Sequence, residues 1–448
     1  VTGFRIRGTP DTGAIGLAAF LSLLGAAALM HAPPLVVIAA AGALVLTVTL
    51  GIEALIVVAL LGACGFLPFA NASHFVASGV KVYAMFFVIG LGAMLFAWAV
   101  REMAAKHTWP LPANSLSYVL VVLLAYVLLV ALASHPAEVP ALATPFAILP
   151  LTGLAVILWL SHDDALEGLR RVLPLAVVIV TAWAIAYDAG AAGCGPCRAW
   201  VGTDLTKAGL LGPGSRLYTA GQNSLLGLFL IAFAYTLARP SLPSVALVCL
   251  GAFTIALQDS RAQYIAVLAG VTLLLIWKFG QLKVGGRFVL IAITALALLA
   301  LIESPVGERA ISTYTELQQG HGTGAYRLQL IHATSHSWTL FGQGFSLHTL
   351  DLGFDIDLGL PNTLLVLGYF GALLQLALLG IGIWRGIAAR TAAGVTIAAV
   401  LVMVLVARPS LPLLEYGESA VMYGAVLGFA AALRIRRNRH AQSQALPA

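Results

Sequence analysis

Charge is what this sequence has least of. Only 9% of its 448 residues are Asp, Glu, Lys or Arg, against about 25% in ordinary globular chains. That shortage excludes a water-soluble enzyme built around one apolar core, because too little charge remains to solvate a surface. It is also the wrong composition for a disordered scaffold, which needs low hydrophobicity and high charge. Cysteine is scarce too: four in the whole chain exclude a disulfide-framework protein. What replaces charge is apolar surface, with 60% hydrophobic residues and a mean hydropathy of +0.97. The 45 glycines and 20 prolines are dispersed through apolar runs rather than periodic, so a collagen-like chain is excluded and membrane helices are not. The composition reads as an all-α, polytopic transmembrane helix bundle.

A helix needs about 20 residues to cross the hydrocarbon core, fewer where the bilayer thins. On that basis fourteen spans are predicted, near 14–30, 35–50, 52–68, 77–100, 115–133, 141–160, 172–188, 217–238, 243–258, 262–277, 287–302, 360–384, 391–407 and 418–433. Merging the second and third into one bent helix would reverse every later loop, so the distribution of basic residues is the test. With fourteen spans and a cytoplasmic N-terminus, sixteen of the 24 Lys and Arg fall inside, including Arg170, Arg171, Lys278, Lys283 and the tail cluster Arg434, Arg436, Arg437 and Arg439. Seven fall outside (Arg198, Lys207, Arg216, Arg261, Arg309, Arg327, Arg408), and Lys81 lies within a span. The bias obeys the positive-inside rule and places both termini in the cytoplasm. The net charge of +6 therefore orients helices, and no aromatic-interleaved basic face points to nucleic acid. Arg5 and Arg7 before a short apolar stretch also resemble a signal peptide; an uncleaved first helix is the expectation here, and cleavage would not alter the rest.

The chain reads as one integral membrane domain, 1–448, with two external loops long enough for function, 189–215 and 303–358. Their positions are not equivalent in two halves, which weakens an inverted-repeat transporter. In the first loop, Cys194-Gly-Pro-Cys197 has the spacing of a thioredoxin-like pair without its strand-to-helix context. In an oxidising exterior, a local Cys194–Cys197 disulfide is the expectation. Cys64 and Cys249 lie in apolar spans as small packing residues.

Two external arginines carry more information. Arg216 stands where the eighth span leaves the surface, and Arg261, in Gln258-Asp259-Ser260-Arg261, where the tenth begins. An arginine at membrane depth is costly unless it snorkels or meets an anion, and its planar fork suits phosphate oxygens. Each alone is equally well an interfacial anchor, or for Arg261 a partner of Asp259. Two on one face near a large loop point to an anion site. In the second loop, the stretch from Arg327 to Trp338 has helical apolar spacing (Leu328, Ile331, Ser335, Trp338) suited to a membrane surface. His332 and His336 are four apart and would share a face, but no accompanying motif completes a metal site. Asp351, Asp355 and Asp357 lack calcium-loop spacing; any one of them, brought against the bundle, could accept a hydroxyl proton.

Taken in order, these features resemble the O-antigen ligase and O-antigen polymerase superfamily of bacterial envelope glycosyltransferases. The resemblance rests on exterior Arg216, the pair Ser260-Arg261 entering an outward-facing span, and Tyr326-Arg327 before Trp338. It continues through Phe341-Gly342-Gln343-Gly344-Phe345 to Gly368-Tyr369-Phe370-Gly371, and covers about 210–375. It implies a helical bundle with the external loop folded over a lateral cavity. The donor would be an undecaprenyl-pyrophosphate-linked glycan, with no cofactor, nucleotide sugar or metal. By that resemblance Arg216 and Arg261 hold the pyrophosphate and stabilise the departing charge, while an acceptor hydroxyl attacks the anomeric carbon and inverts it. Arg327, His348 and Asp355 join the substrate-binding set. The ligases' histidine, counted back from Gly368, falls on Asp357, which becomes the candidate catalytic base and shifts the balance from ligase toward polymerase.

The expected function is thus polymerisation of lipid-linked repeats into exopolysaccharide or O-antigen at the periplasmic face of the bacterial inner membrane. Its partners would be the lipid-linked donor, a glycan acceptor, the bilayer, a flippase and a chain-length regulator. An O-antigen ligase capping lipid A core shares the donor chemistry. A secondary transporter is the alternative from another class, and Lys81 and Glu53 are its candidate midspan charges.

Overall fold

In a computed structural model of the chain, the residues described are 76–77, 80–81, 114–134, 139–159, 222–257, 261–288, 291, 322–345, 359–411, 413–414 and 417–444. They are helical except for turns and one two-residue antiparallel pair, β1 (Val76–Ala77) and β2 (Val80–Lys81). The helices among them are α1 (Ser115–Ala133), α2 (Val139–Trp159), α3 (Gln222–Ala238), α4 (Leu242–Leu257) and α5 (Arg261–Gln281). They continue with α6 (Gly322–Ser335), α7 (Gly359–Val366), α8 (Gly368–Ala388), α9 (Ala392–Ala407) and α10 (Gly417–Gln444).

Among the described residues, three helical stretches are long and apolar enough to cross a membrane: Ser115–Ala133, Ala262–Gln281 and Gly368–Ala388. Their outer faces leave large hydrophobic side chains bare, among them Leu132 at 84% exposure, Leu129 at 64% and Leu373 at 62%. Water penalises such surface and lipid does not. Shorter apolar helices pack beside them, including Leu225–Ala238, Ala392–Ala407 and Ser419–Leu433.

Helix ends follow local chemistry. Asn114 caps α1 by accepting from the Ser117 amide at 2.9 Å, and Thr391 caps α9 by accepting from Gly394 at 3.1 Å. Pro409, without an N–H, follows the last turn of α9. Described helices match the spans predicted at 115–133, 243–258 and 391–407 within a residue or so. The spans near 14–30, 35–50, 52–68 and 172–188, and most of 77–100 and 287–302, lie outside the described residues.

Two expectations are corrected. Lys81 is not on a helix: its backbone is extended and paired opposite Val76. The span predicted as one helix over 360–384 is broken, since Gly368, at φ +68°, turns the chain between α7 and α8. Nothing in the apolar pattern interrupts there, so hydropathy alone reads straight through.

Contacts fix the helix directions. Asn114 meets Arg385 while Tyr126 meets Leu367, so α1 and α8 are antiparallel. Gln263 reaches Asn223 and Gly270 abuts Leu230, a constant offset that makes α3 and α5 parallel. Gly382 abuts Leu401 and Gly386 abuts Gly394, so α8 and α9 are antiparallel. The most extensive packing is α2 against α10. There a Cβ on Gly424 would lie 2.5 Å from the Leu149 carbonyl oxygen, and one on Gly428 2.6 Å from Val156. Gly424 and Gly428 form a small-xxx-small face that lets the two backbones approach closely. Tyr423, near the start of α10, donates to the carbonyl of Asn223, near the start of α3. One end of the bundle therefore gathers the finish of α1 and α9 with the starts of α3, α5, α7 and α10.

Candidate functional site

At this end a glycine-rich loop closes over the break between α7 and α8. A broken helix frees carbonyls and amides that must find partners away from water. Here they all do. Gln343 donates its amide to the Leu365 carbonyl at 2.7 Å and Gly344 to Val366 at 3.1 Å. In return Tyr369 donates to Thr339 at 3.1 Å and Phe370 to Leu340 at 3.0 Å. The Tyr126 hydroxyl, from α1, lies 2.9 Å from the carbonyl oxygens of both Phe341 and Leu367. Gly342 (φ +78°), Gly344 (φ +83°) and Gly368 take the left-handed backbone that other residues resist. A Cβ on Gly342 or Gly368 would also overlap the opposing backbone. The Ser134 hydroxyl accepts from the Phe345 amide at 2.8 Å, and the Phe345 ring is buried against Phe146. The motifs Phe341–Phe345 and Gly368–Gly371, read as separate in the sequence, are thus one joined structure.

Beside it lies a buried polar cluster. Arg408, 1% exposed at the end of α9, donates from Nη2 to Thr363 Oγ1 at 2.9 Å and to Gln375 Oε1. Thr363 in turn donates to Gln375 Oε1 at 3.2 Å. The Arg408 carbonyl accepts from the Leu360 amide at 2.9 Å, and Gly359 sits against the carbonyls of Arg408 and Leu411. The backbone of Arg408 therefore holds the first turn of α7 and its side chain holds the second, at Thr363. An arginine within an apolar bundle costs about 3 kcal/mol or more on insertion scales, and such residues are retained only with polar partners. A third polar contact, Gln263 Nε2 to Asn223 Oδ1 at 3.4 Å, joins the first turns of α5 and α3.

The residues predicted from sequence fall unevenly on this frame. Arg261 is the first residue of α5, two positions before Gln263, and its side chain lies outside the described set. Arg216, His348, Asp355, Asp357, Cys194 and Cys197 also lie outside the described residues. Arg327 is partly exposed on α6. That helix forms where the spacing predicts one, but its buried face is Leu330 and Thr334, with Ile331 and Trp338 packed beside Leu330 and Leu365. Leu328, assigned to the apolar face by spacing, is exposed because Leu365 of α7 meets the neighbouring stripe. His332 and His336 do share an exposed face, ring centroids 5.4 Å apart. Among the described residues no group of three or more His, Cys, Asp or Glu forms a metal-ligating cluster.

Arg408, Gln375, Thr363 and Tyr126 were missed by sequence reasoning. The available signal was polarity out of place: one glutamine within the apolar run 368–384 and an arginine closing the sixteen residues of α9. Compared with known proteins, the sequence matches no family model and no curated protein.

Proposed function

We propose that this chain is a membrane glycosyltransferase that polymerises undecaprenyl-pyrophosphate-linked oligosaccharide repeats by inverting, metal-independent transfer. The observation that carries the reading is the joining of Phe341–Phe345 to the Gly368 break at the end where α5 begins with Arg261. Motifs that in the sequence supply only an order are supported by a common location.

On this reading Arg216 and Arg261 grip the donor pyrophosphate by paired N–H···O bonds. The acceptor hydroxyl attacks the anomeric carbon from the face opposite the pyrophosphate. As the new C–O bond forms, the bond to the pyrophosphate breaks. The hydroxyl proton passes to the Asp357 carboxylate, and the undecaprenyl pyrophosphate leaves with its charge held by the two guanidinium groups. Arg327, His348 and Asp355 line the substrate path. The site faces the periplasm of the bacterial inner membrane, and the bundle crosses the bilayer fourteen times. The break between α7 and α8 does not favour a carrier, whose broken helices keep freed polar groups for substrate; here the protein's own loop bonds the Leu365 and Val366 carbonyls and the Tyr369 and Phe370 amides.

The test is transfer by the purified protein in nanodiscs, given an undecaprenyl-pyrophosphate-linked repeat and either a second such repeat or lipid A core. Growth of a lipid-linked ladder is expected. Transfer only to lipid A core would make the protein a ligase. Arg216→Ala and Arg261→Ala should each abolish the ladder while the protein stays inserted, and Arg→Lys should restore little because the fork is lost. Normal ladders from both alanine variants would remove the site assignment.

A further inference from the structure

We propose that Arg408 is a positioning residue for this transfer, acting by clamping the first turn of α7. The inference rests on the glycosyltransferase reading for its kinetic consequence and on the geometry for the clamp itself. Three elements converge at Arg408. Its guanidinium, on α9, donates to Thr363 of α7 and Gln375 of α8, and its carbonyl accepts from Leu360. Thr363 and Gln375 are themselves bonded and buried, so the three side chains form a buried hydrogen-bonded triangle. The clamp grips α7 at Thr363 in its second turn and again at its start, where Gly359 is pressed against the Arg408 and Leu411 carbonyls and a Cβ would stand 2.8 and 2.5 Å from them.

That location gives the clamp its purpose. Asp357 precedes Gly359 by two residues in the sequence, so a hold on the first turn of α7 acts two residues from that carboxylate. A purely structural tie between α8 and α9 would need neither the bond to Thr363 nor the bond to Leu360. A base must sit within hydrogen-bond reach of its proton, and a displacement of about 1 Å can cost about a hundredfold in rate. Loosening α7 should therefore slow the chemical step and leave donor capture by Arg216 and Arg261 intact.

The experiment compares wild type, Arg408→Lys and Thr363→Val as full-length proteins in nanodiscs. Lysine keeps the charge, but its nitrogen ends one bond short of Nη2 and draws back from both acceptors, and valine removes one hydroxyl at nearly constant volume. Transfer kinetics are read with an undecaprenyl-pyrophosphate-linked repeat, and amide exchange is read over 359–366. In both variants kcat should fall, by about tenfold or more in Arg408→Lys, with donor KM within about twofold of wild type. Exchange at the first turn of α7 should quicken by about tenfold in the same proteins. A raised donor KM with unchanged kcat would overturn the proposal, because Arg408 would then belong to donor binding. Unchanged kcat and unchanged exchange in folded protein would also overturn it. If Arg408→Lys does not fold, Thr363→Val decides both measurements. A wild-type protein that transfers no sugar sinks the glycosyltransferase reading, while faster exchange in the variants still supports the clamp.

Discussion

A tyrosine hydroxyl carries one proton, yet Tyr126 lies 2.9 Å from two carbonyl oxygens that belong to opposite sides of a joint. One is Phe341 in the glycine-rich loop and the other is Leu367 at the break, whose carbonyl also accepts from the Gly371 amide at 3.2 Å. The shared proton ties α1 to both. Interhelical hydrogen bonds inside membrane proteins average less than 1 kcal/mol in double-mutant cycles. Tyr126→Phe should therefore cost about 1 kcal/mol and lower the thermal unfolding midpoint in detergent by a few degrees. Gly368→Ala should cost more, since its φ of +68° strains any other residue and its Cβ would overlap the loop backbone. The order of the two midpoints is the check; a larger loss from Tyr126→Phe would mean that the joint is held by the hydroxyl rather than by the backbone bonds. Asn114 shows the same economy elsewhere, its single Oδ1 accepting both the Ser117 amide and Arg385 Nη1.

Glycines separate into those that face another helix and those that face outward. Gly424 and Gly428 meet α2 at distances no Cβ tolerates, whereas Gly280 and Gly380 have nothing within 4 Å. Removing the conformational freedom of an outward-facing helical glycine helps, and Gly380→Ala should leave stability unchanged or raise it by about 1 kcal/mol. Gly424→Ala should lower it by about 1–3 kcal/mol, because α2 must move away from α10. Parallel unfolding of the two variants distinguishes packing from propensity, and equal midpoints would mean that α2 and α10 do not meet as described. Such differences explain what the sequence discloses at this scale. Helix positions are legible because an apolar run must be a helix in lipid, so α1, α4 and α9 lie almost where hydropathy puts them. The break at Gly368 is illegible, because it is one glycine among 45 and the run stays apolar through it. The face of α6 is misread for a related reason: spacing offers two adjacent stripes, and only Leu365 on another element selects Leu330 over Leu328. The Arg408 triangle, assembled from positions 363, 375 and 408, exists only once three helices have packed.

Across the whole molecule the helix directions sort the basic residues. Arg239, Lys278, Lys283, Arg287, Arg385 and Arg390 lie at the end opposite the candidate site, and α10 carries Arg434, Arg436, Arg437 and Arg439 toward that same end. The site end holds Arg261, Arg327 and Arg408. The directions also come from contacts such as Gln263–Asn223 and Gly386–Gly394, which make no use of charge, so the bias is an independent argument about orientation. Cytoplasmic ends of membrane proteins collect Lys and Arg, and two of these residues are tied down at the end opposite the site: Arg287 donates to the Leu282 carbonyl at 3.0 Å and covers the Phe279 ring, while Arg385 is buried on Asn114. The site end should therefore face the periplasm. In a background with its four cysteines replaced by serine, Ala333→Cys on the exposed face of α6 should react with a membrane-impermeant thiol reagent applied to intact cells. Ser241→Cys, exposed in the turn between α3 and α4, should react only after the membrane is opened. The reverse pattern would put the candidate site in the cytoplasm, where a lipid-linked donor already flipped outward could not reach it, and would remove the proposed transfer whatever the chemistry of its residues.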